Sequence, residues 1–170
     1  GLSREEFLRA FRRCDLFIDR GDHRVWAEES ARVPIRVLID PDPGYRQIKL
    51  FNDAANGAAP PAYDAYYTYG ARIADGQSPA PSAGLAWRHL FHPVDTKRLE
   101  PFPPVLGAPF TTVMNWRSHK PVRFAGASYG MKDAEFGKYL TLPKLTHALP
   151  EAAVEGRNVP RDLLSQNGWR

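Results

Sequence analysis

Two stretches of the sequence carry side chains suited to binding or transferring a charged group. The first is Asp40-Pro41-Asp42, a pair of carboxylates that follows an apolar, β-branched run. Carboxylates at the end of a strand can hold a divalent metal or bind the hydroxyl groups of a substrate. Asp next to Pro is also typical of a stiff turn. All three interpretations of this pair stay open on the sequence alone.

The second stretch is residues 111–143. A β-branched apolar run predicts a buried strand, a glycine-containing polar loop follows, and residues 132–140 have the spacing of a short helix that Pro143 would stop. Lys132 would stand in the first turn of that helix, where backbone N–H groups favour an anion. Tyr129 and Gly130 come just before it. We therefore predict a phosphate-binding position here; the alternative is a solvated lysine.

Two imidazoles lie close together at His89 and His92. Zinc is rejected, because no third ligand stands at a convincing spacing and neither flank is a persuasive helix. Either histidine could instead be a general base that deprotonates a hydroxyl group. The competing interpretation is a histidine that forms structural hydrogen bonds in an ordered loop.

The elements that would position these residues alternate between strand and helix. Ser3 is a good N-cap for a helix to about Arg13, and residues 160–166 form a helix that Gly168 would stop. Predicted strands lie at residues 16–18, 33–39, near Tyr66, 111–114 and 148–154, with a helical stretch at about 25–31. Strand, helix, strand at this spacing predicts an α/β protein with a Rossmann-like, parallel, doubly wound sheet.

Composition limits the class of protein. The 170 residues are 43% hydrophobic and 25% charged, which is ordinary for a globular protein, and no apolar run is long enough for a membrane span. A formal charge of +4 comes from scattered basic residues without a nucleic-acid motif, so we do not expect a nucleic-acid partner. The N-terminal residues do not have the pattern of a secretory signal, and Cys14 is the single cysteine. We expect a cytoplasmic protein.

Several segments resemble one bacterial family of glycosyltransferases with the two-domain GT-B architecture. They are TTVMNW, YGMKDAEFGKYLTLP and VPRDLLSQNGW, preceded in the same order by LIDPDPGYRQ, YYTYGARIADG and the WRHLFHPVD region. The resemblance extends from about Val33 to Trp169. Members of that family begin earlier and continue further, so the chain resembles an internal piece of such an enzyme.

The resemblance implies a sugar transfer from a nucleotide-sugar donor to an acceptor hydroxyl, without a metal or another cofactor. Residues 1–108 would be the latter part of the N-terminal, acceptor-side domain, and residues 109–170 the start of the donor-side domain. An incomplete donor pocket would make the piece inactive by itself. The residues implied are Asp42 and His92 for catalysis, Asp40, Tyr69, Gly70 and Trp87 for the acceptor, and Lys132, Gly130 and Tyr129 for the donor phosphates. The alternative is a non-catalytic α/β module that binds a sugar or a polyanion.

Overall fold

The computed structural model describes residues 3–21 and 25–170. They fall into two compact units, Gly1–Val94 and Asp95–Arg170. The sequence analysis placed a boundary within the proline-rich stretch, between residues 108 and 109. In the structure the division comes earlier, and residues 95–109 contain neither helix nor strand. None of the described helices is long and apolar enough to cross a membrane.

The first unit contains a four-stranded sheet in which every neighbouring pair is parallel. The strands lie side by side in the order in which they occur along the chain. They are β1 (Leu16–Arg20), β2 (Ile35–Asp40), β3 (Ala65–Thr68) and β4 (Trp87–His89). The predicted parallel α/β sheet is therefore confirmed, and it is compatible with a Rossmann-like fold. The doubly wound order predicted with it is not seen among the described strands, because β1 to β4 follow one another in a single direction.

The helices of this unit are α1 (Arg4–Phe11), α2 (Ala27–Ser30), α3 (Tyr45–Ala55) and α4 (Ala71–Ala74). Ser3 caps α1 as predicted: its side chain accepts from the backbone N–H of Glu6, and the Glu6 carboxylate accepts from the Ser3 N–H. The hydrogen bond from the Ser3 backbone lowers the pKa of Glu6. α1 ends at Phe11, two residues before the predicted end.

One face of the sheet carries the core of the first unit. The register places Leu38 beside Tyr66, and Tyr66 beside Trp87, so these side chains share a face. Leu50 of α3 and Ile73 of α4 pack against them. On the opposite face Leu16, Ile18 and Ile35 are each about half exposed. Helices therefore cover one side of this sheet.

The second unit is built on two parallel strands, β5 (Phe110–Asn115) and β8 (Pro150–Glu155). Between them lie the antiparallel hairpin of β6 (Val122–Phe124) and β7 (Ala127–Tyr129), α5 (Lys132–Glu135) and two 3-10 helices (Phe136–Tyr139 and Leu142–Leu145). α6 (Arg161–Gln166) follows β8. The single helix predicted for residues 132–140 is wrong in extent. Gly137 falls in its middle, where glycine disfavours an α-helix by about 1 kcal/mol.

The core of the second unit is largely aromatic. Trp116, Phe136 and Trp169 pack with Leu164, and the rings of Phe136 and Trp169 lie with centroids 5.0 Å apart. The indole N–H of Trp169 donates to the carbonyl of Leu140 at 2.9 Å. The chain reaches this position because Gly168 stops α6 as predicted.

Gly168 takes φ +91° and donates its N–H to the carbonyl of Ser165. We expect Gly168→Ala to lower the free energy of unfolding by about 1–2 kcal/mol, because an L-residue is strained in this left-handed conformation. The added Cβ would also lie 3.1 Å from Cβ of Pro143. Thermal unfolding followed by tryptophan fluorescence measures the change. Gly137→Ala is the control: its Cβ meets nothing within 4 Å. Equal stability of the two variants would contradict this account.

Candidate functional site

The ends of three neighbouring strands bring predicted site residues to one edge of the first unit. Because β2, β3 and β4 are parallel, their carboxyl ends meet at the same edge. β2 ends at Asp40, with Asp42 two residues beyond. Tyr69 and Gly70 follow β3, and His92 lies three residues after the end of β4.

Asp40 is completely buried at this edge, with an exposed fraction of 0%. One carboxylate oxygen accepts from the backbone N–H of Asp42 at 2.9 Å. The other accepts from the side-chain amide of Gln47 at 2.8 Å and from the hydroxyl of Thr68 at 2.9 Å. Donors from the strand end, from α3 and from β3 therefore surround this carboxylate. Sequence analysis assigned Asp40 to the acceptor; in the structure its oxygens bind the protein itself.

The two side chains that bind Asp40 also accept hydrogen bonds from the loops. Thr68 accepts from the N–H of Gly70 at 3.1 Å, and Gln47 accepts from the N–H of Gly44 at 2.7 Å. A Cβ on Gly70 would lie 2.9 Å from Cβ of Pro43, so the loops after β2 and β3 pack at a distance that only glycine permits. The arrangement fixes the backbone on which Asp42 and Tyr69 stand.

Tyr69 and His92 are in direct contact. Their ring centroids lie 3.6 Å apart and the ring planes differ by 20°, which is a stacked arrangement. Tyr69 is half-buried, whereas His92 and Asp42 are exposed. The edge therefore presents an imidazole supported on one face by a phenol ring, together with a carboxylate from the loop after β2. These groups can accept a proton and bind hydroxyl groups.

Trp87, also predicted to bind the acceptor, belongs to the core. It is 6% exposed, its ring contacts that of Tyr66, and its indole N–H donates to the carbonyl of Ser82 at 3.0 Å. The other imidazole, His89, lies against Phe91 with centroids 4.4 Å apart. Each of these aromatic residues therefore has a packing partner within the first unit.

The predicted phosphate-binding residues lie in the second unit. Lys132 is the first residue of α5 and is exposed, as are Gly130 and Tyr129 at the end of β7. The adjacent Asp133 pairs with the guanidinium of Arg117, and its backbone N–H donates to the carbonyl of Trp116 at 3.2 Å. One backbone N–H of the first turn of α5 therefore already has an acceptor within the protein, and the Asp133 carboxylate places a negative charge in the same turn.

Sequence reasoning missed three residues that shape the edge. Gln47 and Thr68 bind Asp40, and the guanidinium of Arg46 donates to the carbonyl of Gly21, just after β1. Gln47 lies in the first turn of a helix, where glutamine often accepts from the backbone, and that position was the signal available for it. The sequence has no comparable signal for Thr68 or Arg46, since their partners are distant along the chain.

A cavity of about 630 Å³ lies near the amino ends of β1 and β2, and it has mixed charge. Its charged lining residues are Arg12, Arg13, Asp15, Glu28, Glu29 and Arg32. None of the predicted site residues lines it. Among residues 3–21 and 25–170, no group of three or more His, Cys, Asp or Glu side chains could hold a metal ion.

Comparison of the chain with protein-family models, with curated proteins and with solved structures finds no match. The glycosyltransferase resemblance therefore stays a prediction, and function has to be argued from the residues at the edge of the sheet.

The hydrogen bonds that Asp40 accepts from Gln47, Thr68 and the Asp42 backbone are expected to contribute strongly to the free energy of unfolding of the first unit. Asp40→Ala removes the acceptor of Gln47 and Thr68 in a site without solvent access, and each buried group left without a partner costs about 1–3 kcal/mol. We expect a loss of about 3 kcal/mol in the free energy of unfolding, measured with urea. Asp42→Ala, exposed and two residues away, should change it by no more than about 0.5 kcal/mol. Similar losses in both variants would refute the role given to the buried carboxylate.

The stack of Tyr69 on His92 can be tested by NMR. Ring protons of His92 should resonate upfield in the wild-type protein and in Tyr69→Phe, because a ring still covers the imidazole, and should lose that shift in Tyr69→Leu. Tyr67→Leu is the matched control, because Tyr67 makes no ring contact with His92 within the described part of the chain. His92 signals that do not respond to Tyr69→Leu would show that the rings are not stacked in solution.

Proposed function

We propose that this chain is part of a glycosyltransferase that moves a sugar from a nucleotide donor to an acceptor hydroxyl. The observation that carries the proposal is the convergence of Asp42, Tyr69 and His92 at the carboxyl edge of a parallel sheet, with Tyr69 and His92 in ring contact. In open α/β sheets, ligands bind beyond the carboxyl ends of the strands. The three residues come from two loops and the segment after β4, so the fold itself brings them to one edge.

In the proposed reaction the acceptor hydroxyl is deprotonated as its oxygen forms a bond to the anomeric carbon of the donor sugar. The imidazole of His92 takes the proton, and the bond between the anomeric carbon and the diphosphate oxygen breaks. The electron pair of that bond leaves with the nucleoside diphosphate. Asp42 is exposed at the same edge, beyond β2, which β3 separates from β4, and its negative charge favours the imidazolium that forms.

Charge grows on the diphosphate as it leaves, so a fixed cation near it lowers the barrier. We propose that Lys132, in the second unit, binds the donor phosphates; its exposed side chain makes no hydrogen bond or ion pair with the rest of the described chain. Arg117 is engaged by Asp133. Gly130 and Tyr129 supply exposed backbone and a ring beside Lys132.

Donor binding is tested by thermal shift with uridine and guanosine diphosphates and their sugars. A ligand at about 100 times its dissociation constant stabilises the protein by about 2.7 kcal/mol. We expect Lys132→Ala to weaken binding of that ligand about tenfold, which is about 1.4 kcal/mol. Lys49→Ala removes an exposed lysine of the first unit and should leave the affinity unchanged.

The acceptor side is followed on the NMR signals of His92, with methyl glycosides as probes and His89 as the internal control. Shifts confined to His92 support the assignment. No stabilisation by any nucleotide, together with unmoved His92 signals, would refute the transferase proposal. Stabilisation by heparin alone, lost steeply as salt rises, would instead support the polyanion-binding module.

A further inference from the structure

Arg170 is bonded to the outer edge of β8 in the way that a residue of a parallel strand is bonded. Its N–H donates to the carbonyl of Pro150 at 3.3 Å, and its carbonyl accepts from the N–H of Ala152 at 2.8 Å. A residue that makes these two bonds, to the residues on either side of Glu151, forms one bridge of a parallel ladder. Arg170 therefore lies opposite Glu151, at the amino end of β8.

The connection that leads to Arg170 has the form of a crossover between parallel strands. Residues 156–168 leave the carboxyl end of β8, include α6 and return to the amino end of the same strand. Parallel neighbours need a crossover of about a dozen residues or more, which is usually helical. The side chains already alternate as in a strand, since Trp169 is buried in the core and Arg170 is exposed.

Ahead of Arg170 the same edge of β8 is open. On its other side β8 pairs with β5, and there the carbonyl of Glu155 accepts from the N–H of Trp116 at 2.7 Å. Because the backbone groups of successive residues point alternately to the two sides of a strand, the even-numbered residues of β8 bond on the outer side. Beyond the two bonds to Arg170, four outer groups have no hydrogen-bond partner in the described part of the chain. They are the carbonyl of Ala152, the N–H and the carbonyl of Val154, and the N–H of Gly156.

We propose that the outer edge of β8 is a docking edge for a strand that runs on in line with Arg170, parallel to β8. The residue of that strand two positions beyond Arg170 donates to the carbonyl of Ala152 and accepts from the N–H of Val154. The residue two positions further on bonds the carbonyl of Val154 and the N–H of Gly156 in the same way. β8 then becomes the central strand of three, and its unpaired backbone groups are satisfied.

The two faces of β8 determine which side chains this strand carries. Ala152 and Val154 pack against the aromatic core, so the first and third positions beyond Arg170, which lie beside them, are apolar. On the other face Arg170 lies opposite the carboxylate of Glu151, and the fourth position lies opposite the exposed Glu155. Opposite charges stabilise directly opposed cross-strand pairs, so this position favours a cation. The strand therefore alternates between apolar and polar residues and carries Lys or Arg at its fourth position.

A second copy of the chain fits this edge less well. Closed dimers have a two-fold axis, and two copies of one strand that meet across such an axis run antiparallel. Arg170 already occupies the parallel position on β8. It would have to leave that position before two copies of β8 could pair along their length.

The test joins five residues, Val-Thr-Val-Lys-Val, to Arg170 of the whole chain and follows amide hydrogen exchange by NMR. We expect the N–H groups of Val154 and Gly156 to exchange at least tenfold more slowly than in the unextended chain, because each gains an acceptor. The N–H of Ala152, which already donates to Arg170, should be slow in both proteins. The N–H of Val113, on the outer edge of β5, should not change.

The matched control carries the same five residues in the order Thr-Val-Lys-Val-Val, which turns Thr and Lys towards the core. It should leave the exchange of Val154 and Gly156 as in the unextended chain, because a shift of one position places every side chain on the wrong face. A second variant, Val-Pro-Val-Lys-Val, lacks the N–H that would donate to Ala152 and should also give no protection.

Three results would overturn the proposal. The first is unchanged exchange of Val154 and Gly156 in the chain extended by Val-Thr-Val-Lys-Val. The second is equal slowing in that chain and in the control with the inverted order. The third is self-association of the unextended chain that slows the exchange of Val154 as concentration rises, since the edge would then serve contacts between copies.

Discussion

A buried carboxylate holds the candidate site together. Asp40 has no access to water, and taking a carboxylate out of water is costly unless its oxygens accept hydrogen bonds. Gln47, Thr68 and the backbone of Asp42 supply these bonds, each from a different direction. Because the acceptor is shared, the end of β2, the start of α3 and the end of β3 keep one relative arrangement. The positions of Asp42 and Tyr69 depend on it.

Much of the fold could be predicted from the sequence, since its signals are local. Ser3 and Gly168 mark helix ends by the hydrogen bonds that their residue types make, and apolar β-branched runs marked β2 and β5. The helix from Lys132 was predicted too long. Its apolar spacing is satisfied equally by a 3-10 turn, which lets Phe136 reach the core beside Trp116 and Trp169. Periodicity does not distinguish these two geometries over nine residues.

The site was predicted only in part, because residue type does not reveal burial. Asp40 and Asp42 are the same residue two positions apart, yet one is enclosed and the other exposed. Trp87 has an aromatic ring of the kind that can stack on a sugar, yet that ring packs in the core. Tyr69 was proposed as a contact for the acceptor, and its ring is now seen against His92. Such assignments depend in large part on contacts between distant residues, such as Asp40 with Thr68 and Tyr69 with His92, which spacing along the chain does not encode.

The order of the strands in the first unit has a consequence for where a ligand can sit. In a doubly wound sheet the chain starts near the middle, builds outwards on one side, then returns and builds on the other. The crevice opens where these two directions part, since the neighbouring loops there turn away from each other. β1 to β4 advance in one direction only, so the described sheet has no reversal of strand order at which such a crevice would open. A ligand at this edge would be bounded on one flank, beside a row of loops and not between two diverging ones.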